Sequence, residues 1–183
     1  MRRNTKLKPR PPLNRDTLNE LALFYVGRFA TTRAKLKSYL MRKLRERGWD
    51  GAAEADLDSI AERFAAQGYV DDAAFALSKS RSLTSRGYGL RRVEQSLRSA
   101  GVVEADGAAA RDLARTERVE TALHFARRRR IGPFATEPAD LKLRERALSA
   151  MVRAGHRFGL ARAIVDLAPG AEVDLESLSD SAA

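Results

Sequence analysis

The chain has 183 residues, no cysteine and a formal charge of +10. That length suits one ordinary domain or a short array of small units, and without cysteine there is no disulfide and no thiolate-ligated zinc. No apolar segment follows the basic N-terminus and no run approaches membrane-spanning length, so a cytoplasmic protein with no membrane partner is expected.

The charge is unevenly spread. Residues 1–15 hold six cations and no acid, and residues 166–183 hold five acids and no Lys or Arg, leaving a net +9 between them. A basic body favours a polyanionic partner such as a nucleic acid or a nucleoprotein, with an anionic membrane surface as the other candidate. The plain alternative is that the arginines merely solvate helices.

Pro9, Pro11 and Pro12 among basic residues predict a disordered tail over 1–15. From Leu18 the pattern turns helical: Leu18, Leu21, Ala22, Tyr25 and Phe29 recur at three- and four-residue spacing. Thr31 and Thr32 interrupt it and offer a cap for the next helix, on which Leu36, Leu40 and Leu44 form one stripe. Gly48 stops that helix. Leu57, Ile60, Ala61 and Phe64 make a third stripe, ended by Gly68. Trp49 and Tyr69, each just past one of these stops, are expected to pack between units. No segment alternates long enough for a strand, so the fold class expected is all-α.

An internal period organises the rest. Gly48, Gly101 and Gly155 lie 53 and 54 residues apart and end the runs LRERG, LRSAG and MVRAG. Leu44, Leu97 and Met151 stand four residues before them, and Leu40, Val93 and Ala147 eight before. The period predicts three tandem three-helix repeats over 16–67, 68–116 and 117–168, in an elongated, curved array, followed by a mobile acidic tail over 169–183. His156, next to Gly155, is expected to pack there and not to bind metal.

Asp71 and Asp72 raise the question of catalysis. The two histidines, His124 and His156, are far along the chain, and no further metal ligands stand at a useful spacing. Helix capping accounts for the pair better: Asp71 at the N-cap, Asp72 in the first turn, and Val70 and Phe75 placed as a hydrophobic staple. Arg86, Arg91 and Arg92 bracket Gly87-Tyr88-Gly89. Two readings stand side by side: a helix N-terminus that holds a phosphate or an acidic side chain, or a loop that only connects helices. The run Arg127-Arg128-Arg129-Arg130 closes a helix, where cations suit the dipole.

Gly68-Tyr69-Val70-Asp71-Asp72 with Phe75, then Arg81, Arg86-Gly87-Tyr88-Gly89, Arg91-Arg92-Val93 and Leu97 resemble the RecX family of RecA modulators. Upstream, Thr32-Arg33-Ala34-Lys35-Leu36 with Leu40, Lys43-Leu44 and Gly48 is similar to the family's first middle helix. The likeness covers about residues 18–102 and is looser beyond; Ala73 and Ala74 depart from it. The resemblance implies tandem three-helix repeats and a negative modulator that binds the RecA filament on single-stranded DNA. Such a protein restrains RecA's ATPase, strand-exchange and coprotease activities, and so regulates DNA repair, homologous recombination and the SOS response. It implies no enzyme chemistry and no cofactor. The filament contacts expected on this reading are Arg33, Lys35, Lys43, Arg81, Arg86, Tyr88, Arg91 and Arg92, with DNA a further partner through basic surface, in a monomeric protein. The competing reading is a stand-alone helical nucleic-acid-binding regulator, which would need one compact unit carrying a recognition helix.

Overall fold

The computed structural model describes residues 11–181, which are helical with no strand among them. In chain order the helices are α1 (Arg15–Val26), α2 (Arg33–Arg47), α3 (Leu57–Ala66), α4 (Asp72–Thr84), α5 (Leu90–Ser99), α6 (Glu104–Thr116) and α7 (Arg118–Arg129). After a 3₁₀ turn at Gly132–Phe134 come α8 (Leu141–Arg153), α9 (Phe158–Asp166) and α10 (Leu175–Ser181). The chain divides into two compact units, one ending at Asp72 and the other starting at Ala73.

In the first unit the expected stripes meet. Leu18 and Ala22 of α1, Leu36 and Leu40 of α2, and Leu57, Ile60 and Phe64 of α3 share one buried core with Val70. Each helix start has a side chain to hold its unpaired amides: Asn14 accepts from Thr17, Thr32 from Lys35 and Asp56 from Ser59. Phe29 falls beyond α1 and is exposed, and Tyr69 is also exposed, its ring tilted against Phe64. Tyr69 therefore does not fill an inner seam: Val70, one residue on, turns into the core in its place. Trp49 packs against this first core and its indole donates to the Ala53 carbonyl at 2.6 Å.

Most of the basic tail expected over 1–15 lies outside the described residues, but its end is built into the first unit. Leu13 is fully buried, and its backbone pairs with the turn after α2, Leu13 N–H to Gly48 O at 3.0 Å and Asp50 N–H to Leu13 O at 2.8 Å. Burying one leucine, together with these backbone bonds, offsets part of the cost of ordering that segment.

The second unit has two cores. Val93 and Leu97 of α5 pack with Ala76 and Leu83 of α4 and Ala110 and Ala114 of α6. Phe125, Ile131, Met151, Leu160 and Ile164 form the other, and Tyr88 touches both. Gly48 directly follows α2, Gly101 and Gly155 follow α5 and α8 after one capping alanine each, and all three glycines have positive φ. The acidic tail expected over 169–183 is corrected by α10: Asp174 caps it, and Leu178 is 4% exposed within the core that Ile164 and Met151 share. Five acids concealed one apolar anchor that outweighs them.

Candidate polyanion-binding surface

The two aspartates have different surroundings. Asp71 stands immediately before α4 and is exposed; Asp72 is its first residue and is buried. The Asp72 carboxylate accepts from the backbone N–H of Arg33 at 2.9 Å, 39 residues away, and from its guanidinium at 3.4 Å. Asp72 thus closes the start of α2 as well as opening α4. The staple partners go separate ways: Val70 lies in the first unit's core and Phe75 packs on the second unit's.

Along α2 the cations are offset locally. Arg33 contacts Glu62 as well as Asp72, Lys37 pairs with Asp58, and Arg42 and Lys43 both reach Glu46. Lys43 and Arg42 also lie over the Tyr39 ring, which stacks on Tyr25 with centroids 4.2 Å apart. Lys35 is half-buried and its backbone N–H serves the Thr32 cap.

The second unit holds Arg86, Tyr88 and Arg92 together. Both guanidinium groups lie over the Tyr88 ring, at 5.6 and 5.9 Å from its centroid. Arg86 donates to the Ser82 carbonyl at 2.7 Å and Arg92 to the Gln95 side-chain oxygen at 2.9 Å. These partners fix the cations without cancelling them, which keeps the field of the surface positive. Tyr88 is engaged by arginine rather than exposed as a stacking platform. Arg81, on α4, lines a separate groove with Arg127, and Arg91 lines a cleft on the far side of the α5 start.

Gly87 and Gly89 are explained by close packing. A Cβ on Gly89 would stand 2.5 Å from the Gly155 carbonyl oxygen, and one on Gly155 (φ +99°) 2.5 Å from the Arg92 nitrogen. The Gly89 N–H donates to Ala154 O at 3.0 Å and the Arg91 N–H to Gly155 O at 3.2 Å. So the α5 amides that might have met a phosphate meet the C-terminal carbonyls of α8, positive helix end against negative. Of the two readings of this loop, the packing one matches these bonds. His156 completes the joint, its Nε2 3.0 Å from the Gly87 carbonyl. A carbonyl only accepts, so that nitrogen carries the proton. Burial pushes the imidazole pKa down to about 4, with the Gly87 bond acting in the opposite sense. The ring is neutral at physiological pH and packs against Phe125.

Among the described residues no group of three or more acidic, histidine or cysteine side chains is arranged for a metal, and no helix is long and apolar enough to cross a membrane. Sequence reasoning had missed Arg115, Arg118 and Arg157, which join Arg91 at its cleft. Arg115 and Arg118 are three residues apart across the α6–α7 junction, but no local spacing announces their meeting with Arg91 and Arg157.

No family model matches the chain. It is 33% identical over 161 residues to "Regulatory protein RecX" of Myxococcus xanthus, covering 83% of this chain and 86% of that protein. It is 28% identical over 164 residues to the protein of the same name from Agrobacterium fabrum, covering 87% and 86%. With a third such protein, from Xanthomonas campestris, it shares 33% over 120 residues, 65% of this chain and 70% of the relative.

Proposed function

We propose that this chain, which belongs to the RecX family of regulatory proteins, is a non-enzymatic negative modulator of the RecA recombinase that binds its filament on single-stranded DNA. The observation that carries the reading is the Arg86–Tyr88–Arg92 stack. Its two cations are pre-ordered on neutral partners, so a polyanionic nucleoprotein meets positive charge that needs little further ordering. Arg81 and Arg91 line other grooves and are expected only as outlying contacts; Arg33, Lys35 and Lys43 on α2 contribute less, because carboxylates already accompany the first and last of them. On this reading α1–α3, α4–α6 and α7–α9 are tandem repeats, the protein works in the cytoplasm as a monomer, and Asp71 and Asp72 shape the scaffold and perform no reaction. The outcome is restraint of strand exchange and coprotease activity, and with it of recombination, DNA repair and the SOS response.

The test is RecA-driven ATP hydrolysis on single-stranded DNA with increasing amounts of this protein. Hydrolysis should fall, and Arg86→Gln with Arg92→Gln should weaken the effect about tenfold. Hydrolysis unchanged at stoichiometric excess would end the reading.

A further inference from the structure

A cleft of about 480 Å³ opens in the second unit where four segments meet. Arg91 of α5, Arg115 near the end of α6, Arg118 at the start of α7 and Arg157 just before α9 line it, with Glu94 among them as an acid. Leu90 and Leu160 supply apolar wall. Like charges brought together repel, by about 1 kcal/mol for a pair 4 Å apart even in water.

For two of the four the local partners leave the charge largely intact. Arg115 has an exposed ion pair with Asp112, of the kind worth little. Arg118 donates to the Arg115 carbonyl at 3.1 Å and the Ser179 carbonyl at 3.4 Å, which holds the guanidinium in place and leaves its charge intact. α9 begins beside the cleft with no side-chain cap on its first-turn amides. The volume falls at the small-ligand end of binding sites, too small for a helix or a protein edge and suited to one nucleotide unit.

We propose that this cleft binds a nucleoside phosphate, its phosphate on the guanidinium groups of Arg91, Arg118 and Arg157 and its sugar and base against Leu90 and Leu160. Guanidinium forks match phosphate geometry, whereas the mixed polar and apolar lining suits the rest of the nucleotide. The ligand is either a free nucleotide or one residue of a strand; the recognising chemistry is the same. No recombinase is needed, so this site stands or falls apart from the filament reading.

The experiment is fluorescence anisotropy of a short labelled oligothymidylate with the full chain alone, competed by ADP and by inorganic phosphate. Saturable binding is expected, weakened about tenfold in Arg91→Gln/Arg157→Gln, with the log–log salt slope smaller by about 0.7, the contribution of the one phosphate the cleft neutralises. Glu94→Gln removes a repelling charge without removing packing, and should tighten binding about two- to threefold. Competition by ADP identifies a free nucleotide as sufficient, and competition by unlabelled strand alone identifies a strand residue; both support the site. Lys142→Gln/Arg146→Gln, on the exposed face of α8, removes the same charge elsewhere. Equal weakening by that pair, no change in the cleft variants, or no saturable binding of either ligand overturns the proposal.

Discussion

The start of α2 is closed by side chains and the start of α5 by main chain. At α2, Thr32 accepts from Lys35 and the Asp72 carboxylate, from far along the sequence, accepts from Arg33. At α5 there is no side-chain cap, and the carbonyls of Ala154 and Gly155 take the amides of Gly89 and Arg91. Both arrangements answer the same unpaired donors, but they are vulnerable in different ways. A side-chain cap fails when its oxygens are removed. A main-chain cap ignores side-chain chemistry and fails when anything keeps the two backbones apart.

The largest expected effect breaks the second arrangement. Gly155→Ala adds a Cβ against the Arg92 nitrogen at a backbone angle that L residues avoid, and should cost about 4 kcal/mol in urea unfolding. Gly68→Ala, also at positive φ but with nothing within 4 Å of the new atom, should cost about 1 kcal/mol, the backbone strain alone. Equal losses would mean that close approach is not what Gly155 provides.

Next comes the side-chain cap. Asp72→Ala leaves a buried amide without its acceptor and should cost about 2 kcal/mol, and Asp72→Asn about 1 kcal/mol. Asp71→Asn at the exposed neighbour should change stability by only about 0.3 kcal/mol, since asparagine also caps well. A double Asp→Asn protein should keep its helical circular dichroism.

The α5 joint should also carry a pH signature. His156 is neutral down to about pH 4 in the folded chain and titrates near 6.5 when unfolded. Between those values the unfolded state holds the extra proton, so stability rises with pH and falls as pH drops through the window, by up to about 1.4 kcal/mol per pH unit. His156→Gln, which can still donate to the Gly87 carbonyl, should flatten that part of the curve relative to the parent. A parallel curve would show that His156 is not the group responsible.

The smallest effect is expected on the α2 surface. Asp58→Asn removes the exposed partner of Lys37 and should shift stability by less than about 0.5 kcal/mol.

Much of this scaffold is written locally and can be read that way. Leu36 and Leu40 fall at i, i+4 and are both buried, Thr32 caps the helix it precedes, and Gly48, Gly101 and Gly155 each follow a helix that stops. What escapes is set by partners distant in sequence. Nothing around Asp72 indicates that its carboxylate is taken by Arg33, nor around Gly89 that a carbonyl from residue 155 is 2.5 Å from where a Cβ would sit. The same holds for the arginines. Spacing ranks Arg33 and Arg86 as equals, but one faces two carboxylates and the other a carbonyl and a ring. Arg115 and Arg118 are sequence neighbours, but they meet Arg91 and Arg157 only after the helices have packed. Composition misleads at one end: the acids of 169–183 outweigh Leu178 in any average, yet Leu178, with Val173 beside it, packs the segment onto the core.

The anchoring of Leu178 has a practical side. Cutting the chain at Pro169 would do more than discard negative charge, because the lid over Ile164 and Met151 would leave with it and greasy surface would meet water. A shortened protein that clumps or melts early would be reporting a missing plug, and a fusion partner is better attached through a spacer beyond Ser181 than spliced in its place.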